Sequence, residues 1–197
     1  MRWIAKSAAC LVGLVALGQA VFGQEPIPAG YDYQVLATSR TSTMEREMNQ
    51  AADEGYRFQS VMGGETAFGG SELVSVMMRG SSGAVGGRFS YRVLATSQTS
   101  TMEREMREAG AEGYDYRGQT VFETFFGGQE VVVVMERDDD TPEARYDYRL
   151  LATTQTSTMQ DELNDMGGAG FAIVGVTLGE TAFGGEEVVA IVRRVVQ

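Results

Sequence analysis

Three copies of one 49-residue unit occupy residues 31–79, 89–137 and 146–194, and they align without an internal gap. The first opens YDYQVLATSRTSTMEREM, the second FSYRVLATSQTSTMEREM and the third YDYRLLATTQTSTMQDEL. Each passes a glycine after a helix-like stretch, reaches ETAFGG, ETFFGG or ETAFGG, and closes with a valine-rich segment. Self-similarity at this period means that one supersecondary unit is built three times and that neighbours bury what one unit leaves open.

The local pattern within a unit gives strand, helix, strand, strand. Tyr33, Val35 and Ala37 alternate with Gln34, Leu36 and Thr38, and β-formers dominate; Tyr91, Val93 and Ala95, then Tyr148, Leu150 and Ala152, repeat this. Ser42 with Glu45, Ser100 with Glu103 and Ser157 with Gln160 fit a capping box, in which the hydroxyl accepts from a first-turn amide while the acid or amide reaches back. Met44, Met48, Ala51 and Ala52 fall on one helical face, as do Met102, Met106 and Ala109, and Met159, Leu163 and Met166. Gly55, Gly113 and Gly170 stop the helices, where a left-handed backbone suits glycine. A second strand starts at Tyr56, Tyr114 or Phe171. The third, ELVSVMMR, EVVVVMER or EVVAIVRR, is the most apolar.

A right-handed crossover makes the first two strands parallel. The apolar third strand then belongs between them, antiparallel to both, with Val131 to Val134 buried on both faces. A unit this short buries too little surface to be secure alone, so the sheet faces that the helices leave open are expected to pack on one another or on another chain. The expected class is α+β: three tandem βαββ repeats, each a three-stranded sheet with the third strand central and one helix on one face, packed as a pseudo-trimer. A row of loosely joined beads is the competing arrangement. The connectors are the Gly/Ser-rich 80–88, flexible by composition, and the acidic 138–145.

Residues 1–23 differ from the rest. Arg2 and Lys6 precede an apolar run from Ala8 to Leu17, small residues follow at Ala20 and Gly23, and the first acid is Glu25. This is the layout of a secretory signal peptide cut at Gly23–Gln24, so the expected location is periplasmic or secreted, with no membrane segment after cleavage. Residues 24–30 then form a short N-terminal linker. Of 16 basic residues, loss of Arg2 and Lys6 leaves 14, all arginine, against 27 acidic ones. The mature chain has no histidine, cysteine, lysine or tryptophan. That composition offers no ordinary zinc or copper ligand set, no Cys–His or Ser–His nucleophile and no disulfide. The negative charge lacks the basic footprint of a nucleic-acid binder. No cofactor is expected.

The unit resembles the domain of unknown function 4177 family, small βαββ domains with a Tyr-x-Tyr opening strand, a helix ending Glu-Gly before an aromatic, and a final apolar strand closed by a basic residue. The matching residues are Tyr31, Tyr33, Glu54, Gly55, Tyr56 and Arg79, then Phe89, Tyr91, Glu112, Gly113, Tyr114 and Arg137. The family's tryptophan after the glycine is Tyr or Phe here, and the third copy reads Ala169–Gly170. The resemblance implies the βαββ fold and carries no activity.

The loop ETxFGGxE is the sharpest local feature. It sets Glu65, Phe68 and Glu72 in the first copy, Glu123, Phe126 and Glu130 in the second, and Glu180, Phe183 and Glu187 in the third. As a site it reads as a recognition loop shown three times, with a phenylalanine anchor and two carboxylates, giving avidity toward a multivalent partner. As structure it reads as a bulged hairpin whose glycines allow positive φ. Acid–base chemistry on the carboxylate pair needs two acids in different environments, whereas the pair recurs in all three copies. Asp138, Asp139 and Asp140 lack the spacing and glycine of a calcium loop and read as a solvated acidic linker. The functional expectation is an exported, non-catalytic protein-binding or assembly module that contacts another envelope protein or itself. The alternative is a small-ligand or cation-binding periplasmic protein with an acidic site at the pseudo-threefold axis.

Overall fold

A computed structural model describes residues 30–66, 70–81, 87–123, 128–141, 144–180 and 186–196. The expected leader, residues 24–29 and the middle of the Gly/Ser linker lie outside the described residues. The first unit holds β1 (Tyr31–Thr38), α1 (Thr41–Asp53), β2 (Arg57–Thr66) and β3 (Gly70–Gly80). The second holds β4 (Phe89–Thr96), α2 (Thr99–Ala111), β5 (Asp115–Glu123) and β6 (Gln129–Asp138). The third holds β7 (Arg145–Thr153), α3 (Thr156–Gly168), β8 (Ala172–Glu180) and β9 (Glu186–Val196). The sheets run β1-β3-β2, β4-β6-β5 and β7-β9-β8, each central strand antiparallel to both neighbours. The α+β class and the central third strand follow the sequence pattern. A bulge interrupts the second strand of every unit, at Phe58/Ser60, Tyr116/Gly118 and Ile173/Gly175.

The helix ends divide expectation from outcome. At the C-termini Gly55, Gly113 and Gly170 take φ of 86°, 92° and 84°. The following aromatic closes the turn, with Tyr56 N–H donating to Ala51 O, Tyr114 N–H to Ala109 O and Phe171 N–H to Met166 O, each at 3.0 Å. The capping boxes are not formed. The helices begin one residue before Ser42, Ser100 and Ser157, and the residues at the cap are Arg40, Gln98 and Gln155, with no side-chain cap bond. Thr38, Thr96 and Thr153 instead accept from the N–H of those three residues at 3.1–3.2 Å and fix the turn into the helix. Glu45 and Glu103 are thereby released for another task.

That task is joining units. For each sheet we call the side away from its own helix the front, and the helix side the back. Met44, Met48 and Ala51 of α1 share one core with Leu36, Leu73 and Met77 of their own sheet and with Tyr91, Val93, Val132 and Val134 on the front of the second. Met102, Met106 and Ala109 of α2 similarly join Val133 and Met135 to Tyr148 and Ile191 of the third unit. Each of these helices is therefore sandwiched between two sheets. β6 is buried on both sides, Val132 and Val134 toward the first unit and Val133 and Met135 toward α2. The units are packed rather than strung as beads. Of the three equivalent contacts in a pseudo-threefold arrangement, the described residues make two: α1 packs on β4 and α2 on β7, whereas α3 packs on its own β7 and β8.

The acidic run is solvent-facing, and its first residues are tied to the start of β4. Asp139 N–H donates to Arg88 O at 2.8 Å, Arg88 N–H to Asp140 at 3.0 Å and the Arg137 guanidinium to Asp139 at 2.8 Å. The Thr141 hydroxyl donates to Asp138 and holds that carboxyl below its ordinary range. The run extends the β4–β6 pairing because its acids find donors at the start of β4. Among the described residues no helix is long and apolar enough to cross a membrane.

Candidate interaction surface

The two junctions between units share a helix carboxylate and a buried tyrosine and differ at the positions around them. β4 is an edge strand, so one side of its backbone needs partners from outside the sheet. Glu45 accepts from Val93 N–H at 2.9 Å. Asn49 accepts from Tyr91 N–H at 2.9 Å and donates to Tyr91 O at 3.0 Å. In the second junction Glu103 accepts from Leu150 N–H at 2.9 Å, and Arg107 faces Asp147 at 3.5 Å.

A tyrosine plugs each junction. Tyr91 is 2 % exposed and Tyr148 is wholly buried. The Tyr91 hydroxyl accepts from Phe58 N–H at 2.9 Å and donates to Glu136 at 2.8 Å. The Tyr148 hydroxyl accepts from Tyr116 N–H at 2.8 Å and donates to Asp115 at 3.3 Å. Burial, reinforced by Glu136 in one case and Asp115 in the other, pushes both phenols well above the ordinary tyrosine range. Burial alone pushes Tyr116 up to about 12.

Beside each tyrosine lies an ion pair, with the signs exchanged between junctions. In the first, Arg57 from β2 grips Glu136 of β6 at 2.7 Å and lies 4.1 Å over the Phe89 ring. That hydrogen bond raises the Arg57 pKa further. In the second, Asp115 from β5 takes the place of Arg57, and Arg193 of β9, which pairs with it, takes the place of Glu136.

Close approach sets the remaining geometry. A Cβ on Gly63 would sit 2.4 Å from Val121 O, and one on Gly110 would sit 2.4 Å from Tyr146 O. Cβ atoms on Gly118 and Gly175 would meet the Phe58 ring at 3.3 Å and the Tyr116 hydroxyl at 2.6 Å.

The front of the first sheet has none of this cover among the described residues. Tyr33, the counterpart of Tyr91 and Tyr148, is 61 % exposed, and Val35 is 63 % exposed. Tyr31 and Met62 are exposed on the same side, and Val74, Val76 and Met78 of β3 lie between them half-buried. At the other end, α3 buries only Met159, while Ile173 and Val176 stand exposed on the back of β8. Apart from Val195 and Val196 at the end of β9, these two surfaces hold all the exposed large apolar side chains among the described residues. Apolar side chains gathered on one exposed face in this way are unusual on a monomer surface.

The sequence-derived loop residues lie elsewhere. Phe68, Phe126 and Phe183 fall outside the described residues. Glu65 pairs in register with Ser71 and Glu72 with Gly64; Glu123 pairs with Gln129 and Glu130 with Phe122. Neighbouring positions on a strand point to opposite faces, so Glu65 and Glu72 do not face each other, nor do Glu123 and Glu130. Glu180 is opposite Glu186 and Glu187 opposite Gly179 in backbone register. Glu187 accepts from the Thr99 hydroxyl at 3.2 Å, tying the third hairpin to the start of α2. Glu130 lines a cavity of about 30 Å³ with Met102, Leu150 and Ile191.

An open cleft of about 520 Å³ between α2 and β7 is lined by Arg104, Arg107, Arg145 and Arg194, but each is already bonded to a carboxylate or carbonyl. Among the described residues no three acidic side chains converge on one point.

Sequence reasoning did not single out Glu45, Asn49, Arg57, Glu136 or the plugging tyrosines as joining residues. Alignment of the three copies carried the signal: positions 57, 115 and 172 change in step with 78, 136 and 193. The chain matches no protein-family model, no curated protein and no solved structure.

Proposed function

We propose that this is an exported, non-catalytic assembly module, built from units of the domain of unknown function 4177 type, that docks a protein on the bare front of its first sheet. The observation that carries the reading is Tyr33 at 61 % exposure beside Tyr91 at 2 % and Tyr148 at 0 %. One position, kept as tyrosine three times, is a buried plug twice and bare once. Leaving Tyr31, Tyr33, Val35 and Met62 in water forgoes roughly 1.5–3 kcal/mol for each large side chain that a partner would cover.

Native mass spectrometry on the protein isolated with its envelope fraction tests this, with Val35→Glu alongside. The wild type is expected as residues 24–197 carrying added protein mass, and Val35→Glu without it. A bare wild-type monomer overturns the reading. An added small mass supports a ligand-binding protein instead.

A further inference from the structure

We infer that the partner is a second copy of this chain, whose α3 and β8 dock on the bare front of the first sheet to form the junction that the chain already makes twice. The inference rests on the assembly reading and names its occupant.

The two bare surfaces complement each other position by position. Where Glu45 and Glu103 accept from Val93 and Leu150 N–H, α3 carries Gln160, whose amide oxygen serves the same purpose for Val35. Where Asn49 brackets the Tyr91 backbone, α3 again has asparagine, Asn164, for Tyr33. Gly110 lets α2 sit against Tyr146 and Tyr148; its counterpart Gly167 has nothing within 4 Å of an added Cβ. A glycine inside a helix weakens it, and at Gly167 no contact among the described residues requires one.

The pairs that vary do so together. Arg57 with Glu136 in the first junction and Asp115 with Arg193 in the second become Ala172 with Met78 in the third, so both charges disappear at once. Glu103 faces Arg149 at 3.8 Å; the corresponding Gln160 and Gln34 are both neutral. The Phe58 ring lies over Gly118 and the Tyr116 ring over Gly175; the smaller Ile173 is matched to the larger Ser60. Two unrelated solvent-facing surfaces have no physical reason to change in this coordinated way. A contact between unlike surfaces is heterologous, so copies add head to tail and either close into a ring or continue.

The test uses the purified full chain in sedimentation velocity. Val35→Glu spoils only the front of the first sheet, and Gly167→Trp fills only the docking surface of α3. Both positions are open in the single chain, and circular dichroism checks that each variant folds. Met62→Glu and Ile173→Glu form a second pair with the same logic. The expected result is a wild type heavier than a monomer, each single variant a monomer, and a one-to-one mixture of the two variants a dimer that grows no further.

A wild type that stays monomeric at its solubility limit overturns the inference, whether the face is bare or covered by residues before Gly30. In that case the assembly reading still stands if the envelope-derived wild type carries another protein that Val35→Glu loses. Gly167→Trp that associates by itself also overturns it, because the contact is then front to front.

Discussion

Asn49 and Tyr91 exchange hydrogen bonds at 3.0 and 2.9 Å across the first junction, so that one side-chain amide stands in for a neighbouring strand at the edge of β4. Removing it strands both backbone groups. Asn49→Ala is expected to lose about 1–3 kcal/mol of stability, partly offset by about 0.5 kcal/mol of helix propensity. Asn164→Ala has only the gain when measured on dilute monomer. Urea denaturation of the two variants side by side checks the contrast.

The Arg57–Glu136 pair offers a reversal experiment. Glu136 is 5 % exposed, so Arg57→Ala leaves a buried carboxylate with the more distant Arg117, at 3.5 Å, and is expected to cost about 3 kcal/mol. Arg57→Asp costs at least as much. Combining Arg57→Asp with Glu136→Arg rebuilds the Asp115–Arg193 arrangement and is expected to recover most of the loss. A double-mutant cycle by chemical denaturation measures that recovery.

Glycines at equivalent helix positions are expected to respond oppositely to alanine. Gly110→Ala drives a methyl toward Tyr146 O and the Tyr148 ring and is expected to destabilise by about 1–3 kcal/mol, as overpacking does. Gly167→Ala meets nothing and is expected to stabilise the monomer by up to about 1 kcal/mol. Thermal melts at low concentration separate the two.

Alkaline pH acts through the plugging tyrosines. Their folded pKa values are raised, so the folded state holds phenolic protons that the unfolded chain has released. Their contribution to stability is full below the unfolded value near pH 10 and falls as pH rises beyond it, by about 1.4 kcal/mol per pH unit for each phenol. Tyr91→Phe and Tyr148→Phe are each expected to flatten that fall between about pH 10 and 11, and urea titrations across the range measure it.

The hairpin carboxylates are expected to leave assembly untouched. Glu65→Gln, Glu123→Gln and Glu180→Gln together keep the fold by circular dichroism and the wild-type sedimentation profile. A loss of association in the triple variant returns the binding site to the loops.

Much of one unit was legible from local pattern. The βαββ order, the methionine faces of α1 and α2 and the stop at Gly55 each depend on residues close in the chain, where spacing reports geometry directly. Glu45 departs from its local pattern for a physical reason: serine followed three residues later by glutamate suits a capping box and equally a lid for a neighbouring strand, and only the position of the next unit decides. Leu163 and Met166 share the helical spacing of Met106 and Ala109 yet remain half-buried, because burial there requires a further sheet laid on the helix, which spacing within the helix does not report. The bulged second strands and the bare front of the first sheet are equally properties of the whole.

Near-identical tandem units carry a hazard of folding in the wrong order, since any helix can approach any sheet. The exchanged ion pairs act as addresses against it. The first unit laid on the third would set Arg57 against Arg193, and two second units laid together would set Asp115 against Glu136. The third laid on the second would leave Glu136 facing Ala172, without Arg57 and with only the more distant Arg117. Each misplacement costs several kcal/mol in like-charge repulsion or stranded charge, so a chain that repeats itself three times still distinguishes its first unit from its last.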